Sequence, residues 1–265
     1  MNIDVDGSLE KWLRQQLTAR GHGLTGRRLL LDVGAYHGDF AATYLSVPES
    51  GFDRAILFEP NPANFNFLGQ QFAGRPEFQV EQLACDTTEG DRTFFCSGET
   101  YTGSLLRYDR VTTAPVVETV VHSVRLDDFL RTKNLLDQVG LLKIDTQGNE
   151  LRVLQGAPET LRTSRPWIVC ELLHLPRFKS QAQPHEIAHY LSQQGYTMAA
   201  QFNEHYTQNG WLAWSDACFV PVESIGTVME SFQLRPTAES ARRPRMRVGQ
   251  RIRRKIRKMF HHGSD

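Results

Sequence analysis

Residues 28–38 read RLLLDVGAYHG, and the fold of the chain follows from this stretch. Arg28 to Asp32 make an apolar run that enters a glycine turn, the pattern of a buried parallel strand, and a helix is expected to open near His37. A second such strand, Arg54 to Glu59 (RAILFE), ends in an acid ahead of Pro60. Two apolar strands, a glycine turn after the first and a carboxylate closing the second form the front half of a nucleotide-binding α/β unit. Asp32 separates it from the dinucleotide version. There, pyrophosphate lies against glycine amides, and a carboxylate at the strand tip repels it. No GxGxxG follows the strand either. Asp32 suits an ammonium or sulfonium group, Gly34 lets backbone approach a ligand, and Glu59 stands where an acid accepts hydrogen bonds from both ribose hydroxyls. An adenosyl group with a cationic tail and no pyrophosphate describes S-adenosylmethionine.

The 265 residues suffice for one large core, or one core and a small appendage. No apolar run approaches the roughly 18 residues that cross a membrane, and MNIDVDGSLEKWL lacks the basic start and apolar stretch of a signal peptide. Cys85, Cys96, Cys170 and Cys218 are dispersed without a CxxC pair, which points to reduced thiols and a cytoplasmic location. The formal net charge of zero conceals an asymmetry: from Arg235 onward there are 11 Lys and Arg against 2 acids, leaving the preceding body with 19 basic and 28 acidic residues. An acidic body is no nucleic-acid surface.

Ser8 to Ala19 has helical apolar spacing. Beyond the first two strands, the pattern predicts a helix after Pro62, a strand over Glu77 to Ala84, a short strand at Thr93 to Cys96 and a mobile loop over Thr100 to Ala114. It then predicts a strand at Val116 to Val124, a buried strand at Gly140 to Asp145, a helix from Glu150, a strand at Pro166 to Leu172, a helix at Pro184 to Gln194, and strands at Tyr196 to Gln201 and Ala217 to Val220. Alternating strands and helices make a doubly wound, mainly parallel α/β sheet. We divide the chain into a lead-in (1–27), one α/β domain (28–233) and a basic tail (234–265).

The motifs LLLDVGAYHGDF (29–40), LFEPNP (57–62), LACDTTEG (83–90), GSL (103–105), VRLDDFL (124–130), LLKIDTQGNELRVLQGA (141–157) and IVCELLH (168–174) stand in one order over more than half of the chain. Together they resemble the FkbM-type S-adenosylmethionine-dependent methyltransferases, a class I group. The resemblance implies a seven-stranded Rossmann-like sheet with the last strand antiparallel. It also implies O-methylation of hydroxyls on sugars, glycans or related natural products, so a small-molecule or glycan acceptor is the expected partner. Gln147 departs from the pattern, which has Glu there.

The candidate cofactor-binding residues are Asp32, Gly34, Ala35, Tyr36, Glu59, Asp86 and Lys143. Asp86 matches the position where this fold holds the adenine amino group, and the alternative is a turn cap. Lys143, two residues before Asp145 and on its side of the sheet, contacts the cofactor or pairs with an acid. Ser104, Glu150 and Glu171 are candidate acceptor-binding residues, with favourable placement at a helix start as the alternative for Glu150. Removal of the hydroxyl proton falls first to His174 and second to Asp145, and His174 bonded to loop backbone is the competing view. No histidine or carboxylate spacing calls for a metal. The competing functions are an NAD-linked oxidoreductase and a non-catalytic scaffold.

Val248, Ile252, Ile256, Met259 and Phe260 recur at helical spacing among Arg and Lys, which makes the tail either a basic amphipathic helix for an anionic inner-membrane surface or a solvated charge run. Liposome co-sedimentation separates the two. The helix predicts salt-weakened binding to anionic vesicles that a chain ending near Gln233 lacks, and equal partitioning of both chains rejects it.

Overall fold

The computed structural model describes residues 13, 26–47, 50–97, 102–109 and 115–229. The helix expected over 8–19, apart from Leu13, and the basic tail from 234 lie outside the described residues. The chain divides into two compact units, Met1–Ile225 and Gly226–Asp265.

The elements begin with β1 (Leu29–Val33), α1 (Asp39–Leu45), β2 (Arg54–Phe58), α2 (Pro62–Gln71) and β3 (Phe78–Glu81). Next come β4 (Ala84–Cys85), β5 (Gly90–Ser97), β6 (Thr102–Ser104), β7 (Val116–Val124), α3 (Leu126–Thr132) and β8 (Val139–Ile144). The chain continues through α4 (Glu150–Gln155), α5 (Pro158–Thr163), β9 (Trp167–Leu173), α6 (Pro184–Gln193), β10 (Tyr196–Tyr206), β11 (Leu212–Pro221) and α7 (Val222–Met229).

Seven strands form one sheet in the order β10-β11-β9-β8-β1-β2-β3, and β11 runs antiparallel to both neighbours, as the family resemblance implies. The central strands are apolar on both faces because both faces are covered. Leu29, Leu31 and Val33 enter one core with Ile144 and Ile168, and Leu30 enters the other with Leu57, Leu141 and Val169. Alternation therefore sends Asp32 to the Leu30 side. The register pairs Asp32 with Lys143, whose neighbour on that face is Leu141.

Three expectations change. The strand expected over Glu77 to Ala84 is split: β3 stays in the main sheet, whereas β4 joins a second sheet of order β4-β7-β5-β6. The expected mobile loop over Thr100 to Ala114 contributes β6, which pairs antiparallel with β5. Gly103 makes that pairing possible, since a Cβ there would stand 2.3 Å from the Phe94 ring. Finally, β10 and β11 extend well beyond their apolar bases, and their distal halves carry exposed Tyr206 and Trp214. An apolar period marks only the part of a strand that reaches a core.

The residues that follow β1 and β8 stand close together. Gly34 has φ +78°, and a Cβ on it would lie 1.9 Å from the Asp145 carbonyl oxygen. Glycine at 34 is thus required by the neighbouring strand. Gly34→Ala is expected to cost about 2–5 kcal/mol from left-handed strain plus overpacking. Urea denaturation checks this, and a midpoint unchanged from wild type would show that the two strand ends separate freely.

Candidate functional site

A cavity of ≈ 170 Å³ opens where β1, β2, β4 and β8 end. Gly34, Tyr36, Glu59 and Asn61 line one stretch of wall, and Leu83, Ala84, Cys85 and Asn149 another. Asp145, Thr146 and Gln147 form the carboxylate-bearing wall, and Phe94, Gly103 and Leu105 come from the second sheet. This is the crevice at the carboxyl ends of parallel strands where α/β sheets bind ligands. Two of its non-glycine residues have left-handed backbone, Tyr36 at φ 51° and Gln147 at φ 57°, a conformation concentrated at functional sites. The Tyr36 ring stacks on His37, which stacks on Phe67.

Glu59, at the tip of β2, is buried and faces the cavity. The amides of Tyr36 and Asn61 donate to its two oxygens at 2.8 and 2.9 Å, so it holds the β1 turn in place. Burial pushes its pKa up to about 7 against the pull of those donors. Asn61 also caps α2 by accepting from the Ala63 amide.

Asp32 and Lys143 lie beneath the cavity and are not among its lining residues. Asp32 is fully buried, with Oδ1 3.1 Å from the Lys143 ammonium. Lys143 also donates to the Gly34 carbonyl at 2.6 Å and lies 3.8 Å from Asp145. Burial raises the Asp32 pKa, with Lys143 opposing. Burial also works against the Lys143 charge, but Asp32 and Asp145 outweigh it and raise its pKa. Ala35 is buried in the core.

At the other end, the Gln147 amide nitrogen donates to Asp145 Oδ1 and to Glu171 Oε2, both at 3.0 Å. Its oxygen accepts from Arg177 at 3.0 Å, which fixes the orientation because a guanidinium only donates. Ser104 donates its hydroxyl to the Gln147 carbonyl at 2.8 Å, pinning the left-handed residue. Glu171 is pushed well above the usual carboxylate range by burial and by Asp145 and Glu150. Asp216, paired across from Glu171 on β11, is raised by burial too. Of these residues Asp145 is the one whose carboxylate both lines the cavity and stays partly exposed.

The remaining candidates are engaged elsewhere. Glu150 folds back to accept from the Thr146 and Gly148 amides at 2.9 Å each, and burial raises its pKa to about 7. Asp86 takes a two-pronged contact from Arg152 at 2.7 and 3.1 Å, with Arg92 and the Thr87 amide nearby. Burial opposes its charge, yet these donors lower its pKa. His174 meets the Ser215 hydroxyl at 2.9 Å, and burial lowers its pKa. Neither Asp86 nor His174 lines the cavity. Among the described residues no cluster of His, Cys, Asp and Glu could hold a metal ion.

The structure thus brings together Gly34, Tyr36, Glu59 and Asp145, with Gln147, noted in the sequence only as a departure from the family pattern, and adds Asn61, Asn149 and Arg177, which the sequence did not single out. Asn61 carried a signal in Asn-Pro ahead of a helix, the pattern of an N-cap. Arg177 carried none, since a lone Arg in a loop looks like any surface charge.

A family model described as the methyltransferase FkbM domain matches residues 32–198. No curated protein matches the chain. Among solved structures, methyltransferase FkbM from Methylobacillus flagellatus KT is similar at 14% identity and a TM-score of 0.49, over 73% of this chain and 44% of that one. This chain therefore spans less than half the length of that protein. A putative RNA methyltransferase from Pyrococcus horikoshii is similar at 11% identity and a TM-score of 0.43, over 80% of this chain and 84% of that one. The 1,6-didemethyltoxoflavin-N1-methyltransferase of Burkholderia thailandensis is similar at 11% identity and a TM-score of 0.40, over 79% and 78%. Likenesses this distant carry no argument about substrate.

Glu59 makes folding pH-dependent. Its carboxyl titrates near 4.5 when unfolded and about 7 when folded, so the folded state binds a proton between those values. Its stabilising contribution is complete below pH 4.5 and is lost as pH rises through 7, on the order of 3 kcal/mol. Urea unfolding at pH 5 and pH 8 is expected to show a smaller loss in Glu59→Gln than in wild type. Identical losses would mean that Glu59 is ionised throughout.

Proposed function

The chain belongs to the FkbM methyltransferase family, and from that premise we propose that it transfers the methyl group of S-adenosylmethionine to a hydroxyl oxygen of a sugar, glycan or related natural product. The observation that carries the proposal is the buried Glu59 carboxylate at the tip of β2, aimed at a cavity floored by the Gly34–Tyr36 turn. Two amides and the Asn64 side chain occupy part of its acceptor capacity of about four lone pairs, leaving room for a ribose hydroxyl. Leu83, Ala84 and Phe94 offer apolar contact for a base, and Asp145 at the opposite wall offers a negative charge for a cationic tail. The cofactor supplies an electrophilic methyl carbon on a positively charged sulfur.

The protein's part is to align the acceptor oxygen with the carbon–sulfur bond, exclude water and remove one proton. Alignment alone is worth several kcal/mol. Asp145 Oδ2 would take the hydroxyl proton as the acceptor oxygen is methylated. Asp145 replaces His174 as first choice for base because it lines the cavity, whereas the His174 Nε2 meets Ser215. Gln147, bonded to Asp145 Oδ1, holds that carboxylate, whose Oδ2 lies 3.8 Å from the Lys143 ammonium. Asp32 and Lys143 act through the floor: the ammonium holds the Gly34 carbonyl and lies beside Asp145.

Calorimetry with S-adenosylmethionine tests the site. Glu59→Ala is expected to lose about 2–4 kcal/mol of affinity, and a folded variant binding as tightly as wild type rejects the ribose assignment. Incorporation of labelled methyl into a glycan fraction tests the base. Asp145→Asn is expected to lower incorporation about 100-fold or more at saturating cofactor, and His174→Ala to leave it near wild type. The reverse pattern would return the role to His174.

A further inference from the structure

Asn149 lies between β8 and α4 with 1% of its surface exposed, on the cavity wall beside Ala84 and Cys85. Its amide nitrogen donates to the Cys85 carbonyl at 3.1 Å. A carbonyl only accepts, so this bond fixes which end of the side chain is nitrogen and which is oxygen. Oδ1 cannot take its place, and it is left as a buried acceptor without a hydrogen-bond partner. Buried acceptors are normally paired, so an orphan on a cavity wall points to a donor brought by a ligand.

The surroundings define that donor. Leu83, Ala84, Cys85 and Phe94 give this part of the wall an apolar character suited to a flat ring. A carboxamide oxygen is uncharged and suffices for a neutral donor, while a cationic one is better served by the Asp145 carboxylate on another wall. Asp86, the adjacent acid, is already taken up by Arg152, Arg92 and Thr87. We propose that Asn149 is the residue that reads the nucleobase, its Oδ1 accepting from the exocyclic amino group of adenine while its Nδ2 holds the Cys85 backbone beside the ring. The inference rests on reading the cavity as the S-adenosylmethionine site. It makes Asn149 a specificity-determining residue, because a 6-oxo base would set a second acceptor against Oδ1.

The experiment is calorimetry of the full chain with S-adenosylhomocysteine and S-inosylhomocysteine. Wild type is expected to bind the adenosyl compound about 10- to 100-fold more tightly. Asn149→Ala is expected to lose that preference to within about threefold, chiefly by weaker adenosyl binding. Circular dichroism checks the variant's fold, since the tie to Cys85 is also lost, and Asn149→Ser takes its place if the alanine form does not fold. Equal binding of both compounds by wild type overturns the proposal. So does a folded variant that discriminates as wild type does, which would leave the cofactor site standing with another residue reading the base. Failure of wild type to bind either compound removes the cofactor reading and this inference with it.

Discussion

The site depends on one buried ion pair. Asp32 and Lys143 face each other across the central strands, and water reaches neither freely. Placing two charges in a core is costly, and removing one partner alone typically costs about 3–5 kcal/mol because the other is stranded. Here the pair also does positional work. The ammonium reaches the Gly34 carbonyl and stands 3.8 Å from Asp145, so the β1 turn and the end of β8 are tied to one cation. Both walls of the cavity are referenced to the same point.

Above that floor the protein concentrates negative charge. Asp145, Glu171, Glu150 and Asp216 influence one another strongly enough that burial and mutual repulsion keep Glu171 well above the usual range. Gln147 makes the arrangement tolerable by giving one N–H to each of Asp145 and Glu171, with Arg177 locking its amide and Ser104 its backbone. A glutamate at 147, the residue of the wider family pattern, would place a third carboxylate there and could donate to neither while ionised.

Much of the fold was legible in the sequence because its signals are local. Five apolar residues before a glycine turn, RAILFE before proline and GLLKID each describe a strand covered on both faces, and those strands form where expected. The second sheet was not legible, since β4 has two residues and β6 three, too short for any period to register. The same limit hid α5, whose capping is supplied by Asp127, more than thirty residues away in sequence: it accepts from the Glu159 and Thr160 amides at 2.7 and 2.8 Å.

For the site, the sequence by itself determined which strand tips carry acids and glycines, because strand ends and turns are written in adjacent residues. Tertiary structure alone decided which way each of them faces. Asp32 looked like a ligand for a cationic tail, and that same reasoning had set aside a dinucleotide; strand alternation and the β8 register instead turn it down toward Lys143. Asp86 is claimed by Arg152, His174 by Ser215 and Glu150 by its own loop, all partners that no spacing announces. Conversely, Asn149 is an ordinary polar residue in the sequence and becomes an orphaned acceptor only when the Cys85 carbonyl occupies its other end. A side chain's chemistry is set by its own atoms, but its availability is set by its neighbours, and neighbours are made by folding.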